Sequence, residues 1–336
     1  MNMTGELEIK GTVLTGNPFR RVRTSMRNFS FAAAFLGVSS LLSAADPTLL
    51  NLVMPDAQIV AGVNLAKAKT SPFGQFLLRQ MPEDGDFAKF INASGFDPRR
   101  DLQEVLMATA TGQKTGLVAA RGTFDPQKIA ALATADGKQI VSQYNGAQLL
   151  VSTEAGSPAL AFFDGNFAVA GDLVSVKAAI DRRKSHNAIS PQLAAKVAMY
   201  GAADAWTVSL VPLSGLGQKP NVAVPGPLNG IFQGDLLKKV SETSGGVTFT
   251  SPVQVTGELV ADSDKDATAL GDVVKFLASM IQTNGADPAV TTLVQSLNVS
   301  TQGNVLKLAL AIPEAQLEAL IQSGSNAGKK KSAVRI

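Results

Sequence analysis

The stretch "IVSQYNGAQLLVSTEAGSPALAFFDGNFAVAG", Ile140 to Gly171, decides the class of fold. It holds two runs of strand-forming residues, and each run is interrupted by a turn dipeptide, Asn145-Gly146 in the first and Asp164-Gly165 in the second. Both dipeptides tolerate the positive φ angles of a tight turn, so each run predicts a β-hairpin. The stretch therefore predicts an antiparallel sheet.

Helix start signals surround these hairpins. Ser71 is a good N-cap, and Pro72 after it suits the first helical position because proline fixes φ and needs no amide hydrogen. Asp97 and Asp125 are each followed by proline in the same way, so they predict two more helix starts. Helices are thus expected to alternate with the strands.

The segment "LVSVKAAIDRR" after the second hairpin predicts a further helix. Its predicted buried stripe consists of Val174, Ala178, Ile180 and Asp181. This helix closes the first half of the chain.

The second half repeats the alternation. Trp206 to Val211 and Val253 to Ala261 predict strands, with Glu258 among the outward residues of the latter, and Gly234 to Glu242 predicts a short helix capped by Asp235. Later elements are a helix with the stripe Leu270, Val273, Val274, Leu277, Met280 and Ile281, a turn at Gln302 to Asn304, a strand at Leu306 to Ile312 and a helix at Glu314 to Ile321.

The repeated order predicts an α+β protein with two similar units of mostly antiparallel sheet and helices packed on one face. The units are expected at residues 46–190 and 196–323, and their common element order suggests an internal duplication. Residues 324–336 are small, polar and basic, which is typical of a disordered tail.

Residues 1–45 predict a leader with a secretory signal peptide. The uncharged segment Phe29 to Leu42 follows four arginines and is shorter than the ~20 residues that a membrane-spanning helix needs. Small residues end it, so we expect cleavage after Ala45 and a periplasmic or extracellular mature protein. A retained membrane anchor is the alternative, and Met26 is an alternative to Met1 as the start.

Removal of the leader changes the charge balance. The chain has 30 basic and 27 acidic residues, and the leader contains five of the basic and two of the acidic ones, which leaves 25 of each. A folded protein whose surface carries no excess of positive charge binds nucleic acid poorly. With no cysteine in the chain, a disulfide framework and zinc sites built on thiolates are excluded.

Candidate catalytic groups are few. His186 is the single histidine, so a Ser-His-Asp set would need it as the base, and its charged surroundings indicate a solvated surface residue instead. No catalytic, cofactor-binding or metal-ligating residue is predicted.

Asp262, Asp264 and Asp266 have the spacing of the start of a calcium loop. Ala267 and Val273, however, replace the glycine and the glutamate that such a loop requires. The predicted structure is a polar turn in which Asp266 caps the next helix.

The other charged groups have structural explanations. Asp97 and Asp101 flank two arginines, which predicts internal ion pairs, with an anion site as the alternative. The acidic group Glu83, Asp84 and Asp86 has no distinctive spacing, and the lysines at 329–331 predict a solvated tail.

The segments "SPFGQFLL", "GFDPRRDLQEVL", "ARGTFDP" and "FFDGNFAVAGDLVSVKAAIDRR" resemble exported proteins of unknown function from soil bacteria. The resemblance is strongest over residues 55–185. It implies export and an α+β repeat, and it supplies no catalytic residues.

The expected function is therefore that of an exported, non-catalytic binding or scaffolding protein of the cell envelope. Its partner would be a protein or an envelope polymer, bound by the sheet face or by the loop from Pro212 to Gly230. The alternative is a carboxylate-dependent hydrolase, which needs two acids about 5–10 Å apart in a cleft with one pKa raised. A third expectation is a subunit of an envelope assembly.

Overall fold

The structure is a computed structural model that describes residues 45–81, 85–110, 116–135, 137–154, 156–185, 189–213, 236–283 and 288–322. Several sequence predictions lie outside the described residues: the leader up to residue 44, the acidic residues 83 and 84, His186, residues 214–230 of the proline-rich loop, Asp235 and the basic tail.

Twelve strands form one antiparallel sheet in the described part of the chain. The spatial order is β11-β12-β10-β9-β8-β1-β2-β3-β7-β6-β5-β4, and it confirms the predicted α+β class and antiparallel pairing. The strands are β1 (Ala57–Asn64), β2 (Leu102–Ala110), β3 (Leu117–Gly122), β4 (Gln139–Tyr144), β5 (Ala147–Ser152), β6 (Ala159–Phe162), β7 (Phe167–Gly171), β8 (Ala205–Ser209), β9 (Val240–Thr248), β10 (Val253–Ala261), β11 (Asn298–Gln302) and β12 (Val305–Ile312).

Three helices begin where the sequence predicts them. Ser71, Asp97 and Asp125 each accept a hydrogen bond from a backbone N–H in the first turn, with proline at the first helical position. The helices are α1 (Pro47–Leu52), α2 (Leu65–Ala68), α3 (Pro72–Arg79), α4 (Gly85–Ser94), α5 (Pro98–Asp101), α6 (Pro126–Thr134), α7 (Leu173–Arg182), α8 (Pro191–Tyr200), α9 (Asp264–Thr283) and α10 (Pro288–Gln295), and residues 314–322 are also helical.

The two predicted units share one sheet because β1 pairs with β8 at its centre. Outward from this pair, β2 and β3 lie on one side, and β9 and β10 lie on the other. Three strands that follow one another in sequence therefore lie side by side in each half of the sheet, β1 to β3 in one half and β8 to β10 in the other. Strand order does not establish ancestry, so the internal duplication and the limits of the units stay predictions.

Helices cover both faces of the sheet, which differs from the expectation of one covered face. Val169 packs in the large core cluster with α1, α7 and α8, whereas its neighbour Ala168 packs with α6. Successive residues of a strand point to opposite faces, so these helices lie on opposite sides. Strands β6 and β7 carry apolar residues on both faces, so each face needs its own cover.

The two diagnostic hairpins are present. Asn145 and Gly146 have φ values of 48° and 86°, as a tight primed turn between β4 and β5 requires. The second connection, between β6 and β7, is longer than predicted and spans residues 163–166, with Gly165 at φ 79°.

The predicted helix at Gly234 to Glu242 is wrong. Only Leu237–Lys239 form a short 3-10 helix, and Val240–Thr248 form β9. The strand forms because β8 and β10 supply hydrogen-bond partners on both of its sides. The polar composition of β9 did not predict a strand.

The predicted stripe of α7 is wrong in part: Ile180 is buried as predicted, but two other members are exposed. Val174 is 78% exposed, and Asp181 is exposed as well. The buried side carries Val176, Ala179 and Ile180, which pack against the sheet beside α1. This stripe follows the i, i+3, i+4 spacing of a helix face, displaced from the predicted one.

Candidate functional site

The triplet of aspartates before α9 does not form a metal site. The helix begins at Asp264, and its cap is Ser263, whose hydroxyl accepts from the Asp266 N–H at 3.1 Å and donates to the Asp266 carboxylate at 2.6 Å. Asp262 lies 3.7 Å from Lys239. The prediction that Asp266 is the cap is therefore wrong, because the cap lies three residues earlier, at Ser263, whose hydroxyl accepts from the backbone of the first turn. Within the described ranges, no group of three or more His, Cys, Asp or Glu residues could hold a metal ion.

The arginine pair next to α5 forms internal ion pairs, as predicted. Arg99 contacts Asp97 at 3.0 Å, and Arg100 contacts Asp101 at 2.7 Å. Hydrogen bonds from these guanidinium groups lower the pKa of both carboxyls. Lys69 also donates to the carbonyl of Arg100. The group is a stabilised helix start.

One carboxyl comes nearest to the criterion for a catalytic acid. Burial raises the pKa of Glu104, and the carboxylate of Asp46 raises it further. Glu104 is only 6% exposed, however, and lies in β2 beneath α1. Neither residue lines the two surface depressions described below. The pair is part of a buried network, without access for a substrate.

A second buried charge group lies on the same side of the sheet. Lys196 of α8 pairs with Glu258 of β10 and lies 3.7 Å from Glu242 of β9. Glu258 is 4% exposed, so the prediction that it points outward to solvent is wrong. Burial and the nearby Glu258 raise the pKa of Tyr200. The group anchors α8 to the sheet.

Two shallow depressions mark the described surface. The first, of about 550 Å³, is lined by Phe124, Asp125 and Asp164 among others. Asp125 caps α6, and Asp164 pairs with Arg183 at 2.7 Å. The second, of about 490 Å³, lies between α9, α10 and β11 and contains no carboxylate. Neither offers a pair of free acids.

The most distinctive surface is an apolar face on the central strands. Eight residues of β1, β2, β3 and β7 point to one side, and none of them belongs to the four hydrophobic clusters that the structure describes. We call this surface the open face. It consists of Ile59, Ala61, Val63, Val105, Met107, Val118, Ala120 and Ala170.

The strand pairing fixes how these side chains are arranged. Ala61 lies opposite Met107, Met107 opposite Val118, and Val118 opposite Ala170, so one row crosses four strands. Four strands spaced about 4.8 Å apart give the row a width of roughly 14 Å. Met107 has Ala61 and Val118 as its cross-strand neighbours. The open face is therefore a broad, shallow surface with one prominent side chain.

The helices of the chain cover the same side of the sheet on either side of the open face. Ala168 of β7 packs in the cluster of α6, and Ala205 of β8 packs in the cluster of α3. Between these covered strands, Met107 is 49% exposed and Val63 is 36% exposed. The open face thus occupies a gap between two groups of helices.

The eight residues of the open face carry no charged side chain. The hydroxyl groups of Thr109 and Thr207 lie beside them on the same side of the sheet, opposite Ile59 and Ala61. A contiguous apolar patch of this kind is uncommon on the surface of a monomeric soluble protein. Its chemistry suits an apolar partner surface.

The sequence contained only an ambiguous signal for this site. β1 reads "AQIVAGVN", with apolar residues on both sides of the strand. Such a pattern is typical of a strand that is covered on both faces. The pattern shows that both faces are apolar, and the exposure of one of them appears only when the helices are placed.

Comparisons with known proteins provide little beyond the fold. No protein-family model matches the chain, and no curated protein matches it significantly. Crystal form III of the protein TP0453 is similar, with a TM-score of 0.47 and 10% identity over 83% of this chain and 99% of that chain. Crystal form I gives a TM-score of 0.45 and 11% identity over 84% and 98%. Likenesses this loose carry no argument about function.

The predicted resemblance to exported proteins of soil bacteria stays a prediction. Among the described residues, none of the helices combines the length and the apolar character that crossing a bilayer requires.

Proposed function

We propose that the chain is an exported, non-catalytic binding protein of the cell envelope, and that the open face binds an amphipathic helix of a partner protein. The observation that carries the proposal is the row of apolar side chains centred on Met107, which no described helix covers. Export is inferred from the leader sequence.

The chemistry of the open face favours a protein over a polysaccharide. Sugars are bound by hydrogen-bonding side chains and aromatic rings, and the eight residues offer only aliphatic groups and a thioether. Apolar surface that is removed from water stabilises a complex by about 25 cal/mol per Å² before the costs of association. An apolar protein surface obtains this gain without leaving polar groups unpaired.

The dimensions of the open face favour a helix. A helix with its side chains is about 10–12 Å across, which fits a gap of roughly 14 Å. The flanking helices of the chain already pack on this side of the sheet in the same manner. Met107 would lie beneath such a helix, where its flexible side chain adapts to the shape of the partner.

The test places a photo-crosslinking amino acid at Met107 of the full chain in the source cells. The control carries it at Met199, which is 59% exposed on the outer side of α8. We expect one defined partner to crosslink from Met107 and not from Met199. The partner is then purified, and its affinity is measured for the Met107→Glu and Met199→Glu variants.

Met107→Glu should weaken binding at least tenfold, because a carboxylate would be buried in an apolar interface. Met199→Glu should leave the affinity unchanged. Equal crosslinking from both positions, or equal affinities for both variants, would refute binding at the open face. Recovery of the chain from the cytoplasm with residue 1 intact would refute export.

A further inference from the structure

The first described element of the chain lies inside the core. Leu49 and Leu52 of α1 are at most 1% exposed, and Ala45 just before the helix is 2% exposed. Ala45 lies close to Gly201, where a Cβ atom would approach the Ala45 nitrogen to 3.1 Å. The backbone at the predicted cleavage site is therefore closely packed against Gly201.

Asp46 connects this entry point to buried charges. Its backbone N–H donates to Glu104 Oε1 at 3.0 Å, and its carboxylate caps α1 and lies 2.8 Å from Arg121. The positive charge of Lys67 opposes the rise that burial causes in the pKa of Glu104, and Lys67 also pairs with the buried Asp204 at 3.5 Å. Lys67 thus links Asp204 to the charged groups around Glu104, and we treat these residues as one cluster.

The cluster lacks one positive charge. Three carboxylates, those of Asp46, Glu104 and Asp204, share two cations, Lys67 and Arg121. Glu104 is the most poorly compensated of the acids, since it accepts from the neutral backbone amide of Asp46, whereas Asp46 and Asp204 each pair with a cation. An unbalanced buried carboxylate is costly unless it gains a charged partner.

We propose that Glu104 is the receptor for the N-terminal ammonium group that cleavage between Ala45 and Asp46 creates. The inference rests on the proposed export. In the cleavage, a signal peptidase adds water across the peptide bond, and the carbonyl carbon of Ala45 becomes a carboxylate in the leader. The nitrogen of Asp46 keeps its hydrogen and gains two protons, one from water and one from the new carboxyl.

Cleavage thus changes a neutral donor into a cation at a position 3.0 Å from Glu104. The cluster then contains three carboxylates and three cations. Because Ala45 is buried in the fold, the peptide bond is protected once the chain has folded, and removal of the leader precedes folding. The mature protein is consequently the form whose charges are balanced.

The experiment compares three chains that differ only at the N-terminus. Each is made as a ubiquitin fusion with a co-expressed ubiquitin protease, which leaves any chosen first residue. The chains begin at Asp46, at Ala45 and at Met26, and each contains every helix and strand that the structure describes. Each is also made with Glu104→Gln.

In the chain that begins at Asp46, Glu104→Gln should lower the ratio of folded to unfolded protein at least tenfold in urea titrations. In the chain that begins at Met26, the same change should leave the ratio unchanged or raise it, because glutamine resembles the protonated form that burial favours. The chain that begins at Ala45 should behave like the longer one. Equal effects in all three chains would refute the proposal.

A second measurement does not depend on the folding of a variant. The ammonium group of the Asp46 chain should titrate above about pH 9 by ¹⁵N NMR, against an ordinary α-amino pKa of about 8. The added stability should be complete below the ordinary value and lost as the pH rises through the raised value. An ordinary titration would refute the ion pair. A chain retained in the cytoplasm would refute export and leave these results standing.

Discussion

The two sides of the central strands differ in an unexpected way. On the covered side, beneath α1, α7 and α8, the strands carry Leu106 and Ala119 together with the buried charged residue Glu104. On the open face, all eight residues are apolar, and Met107 is 49% exposed. The charge is buried, and the apolar surface is left in contact with water.

This difference separates two roles within the same strands. Buried charges on the covered side such as Glu258 are tolerated because they have a charged partner from another element, and Glu104 accepts a hydrogen bond from the backbone of Asp46. On the open face, Val63 and Met107 are exposed and the other six residues are only half-buried, so these apolar groups gain less from folding than the buried residues of the covered side do. The covered side therefore contributes more to stability, and the open face is the surface for which we propose a binding role.

The largest effect should come from an unpaired charge on the covered side. Lys196→Met leaves Glu258 buried without its cation and should lower the free energy of unfolding by about 3–5 kcal/mol. Urea unfolding measures this loss. The double variant Lys196→Met with Glu258→Met should recover most of it, since no buried charge is left without its partner. A loss below about 1 kcal/mol for the single variant would contradict the role of the pair.

The sharpest test of the comparison uses two adjacent residues. Leu106→Ala on the covered side should cost about 2–5 kcal/mol, because the residue is 1% exposed in the main core. Met107→Ala on the open face should cost less than about 1 kcal/mol. Thermal and urea unfolding measure both. Similar losses would show that the open face is covered within the folded protein.

A smaller effect tests which side of α7 contacts the sheet. Val176→Ala removes two buried methyl groups and should cost about 2 kcal/mol. The matched control Val174→Ala, at a position 78% exposed, should change the stability by less than about 0.5 kcal/mol. If Val174→Ala cost more stability than Val176→Ala, the buried stripe predicted from the sequence would be supported instead.

The smallest effect concerns charges outside both surfaces. Asp97→Ala removes the cap of α5 and should cost about 1 kcal/mol at neutral pH. The contact with Arg99 lowers the pKa of Asp97, so the contribution of its charge is present above the unfolded value and lost as the pH falls through the lowered one. Asp97→Asn keeps the cap and should reduce the loss of stability between about pH 5 and pH 2. Unchanged acid unfolding would contradict this contribution.

Local chemistry made a large part of the fold predictable. The turn at Asn145-Gly146 and the helix starts at Ser71, Asp97 and Asp125 depend on residues within a few positions of one another. Strands such as β10 and β12 were predictable because their side chains alternate. These features give the α+β class and the antiparallel pairing.

The remaining features depend on contacts between distant segments. β9 is a strand because β8 and β10 flank it, and its own composition does not favour one. Glu258 and Glu104 are buried because Lys196 and Asp46 meet them from other elements. The open face was not predictable for the same reason, since its exposure depends on where α3 and α6 pack.

The pairing of β1 with β8 has a consequence for how the chain reaches its native state. Val63 and Ala205 are partners, so a strand made early has one neighbour that is synthesised much later. Closing so long a loop is entropically costly and slows folding. Until β8 is in place, the backbone of β1 is an unpaired edge that can recruit other chains. The central position of β1 thus makes its half of the sheet dependent on completion of the other half.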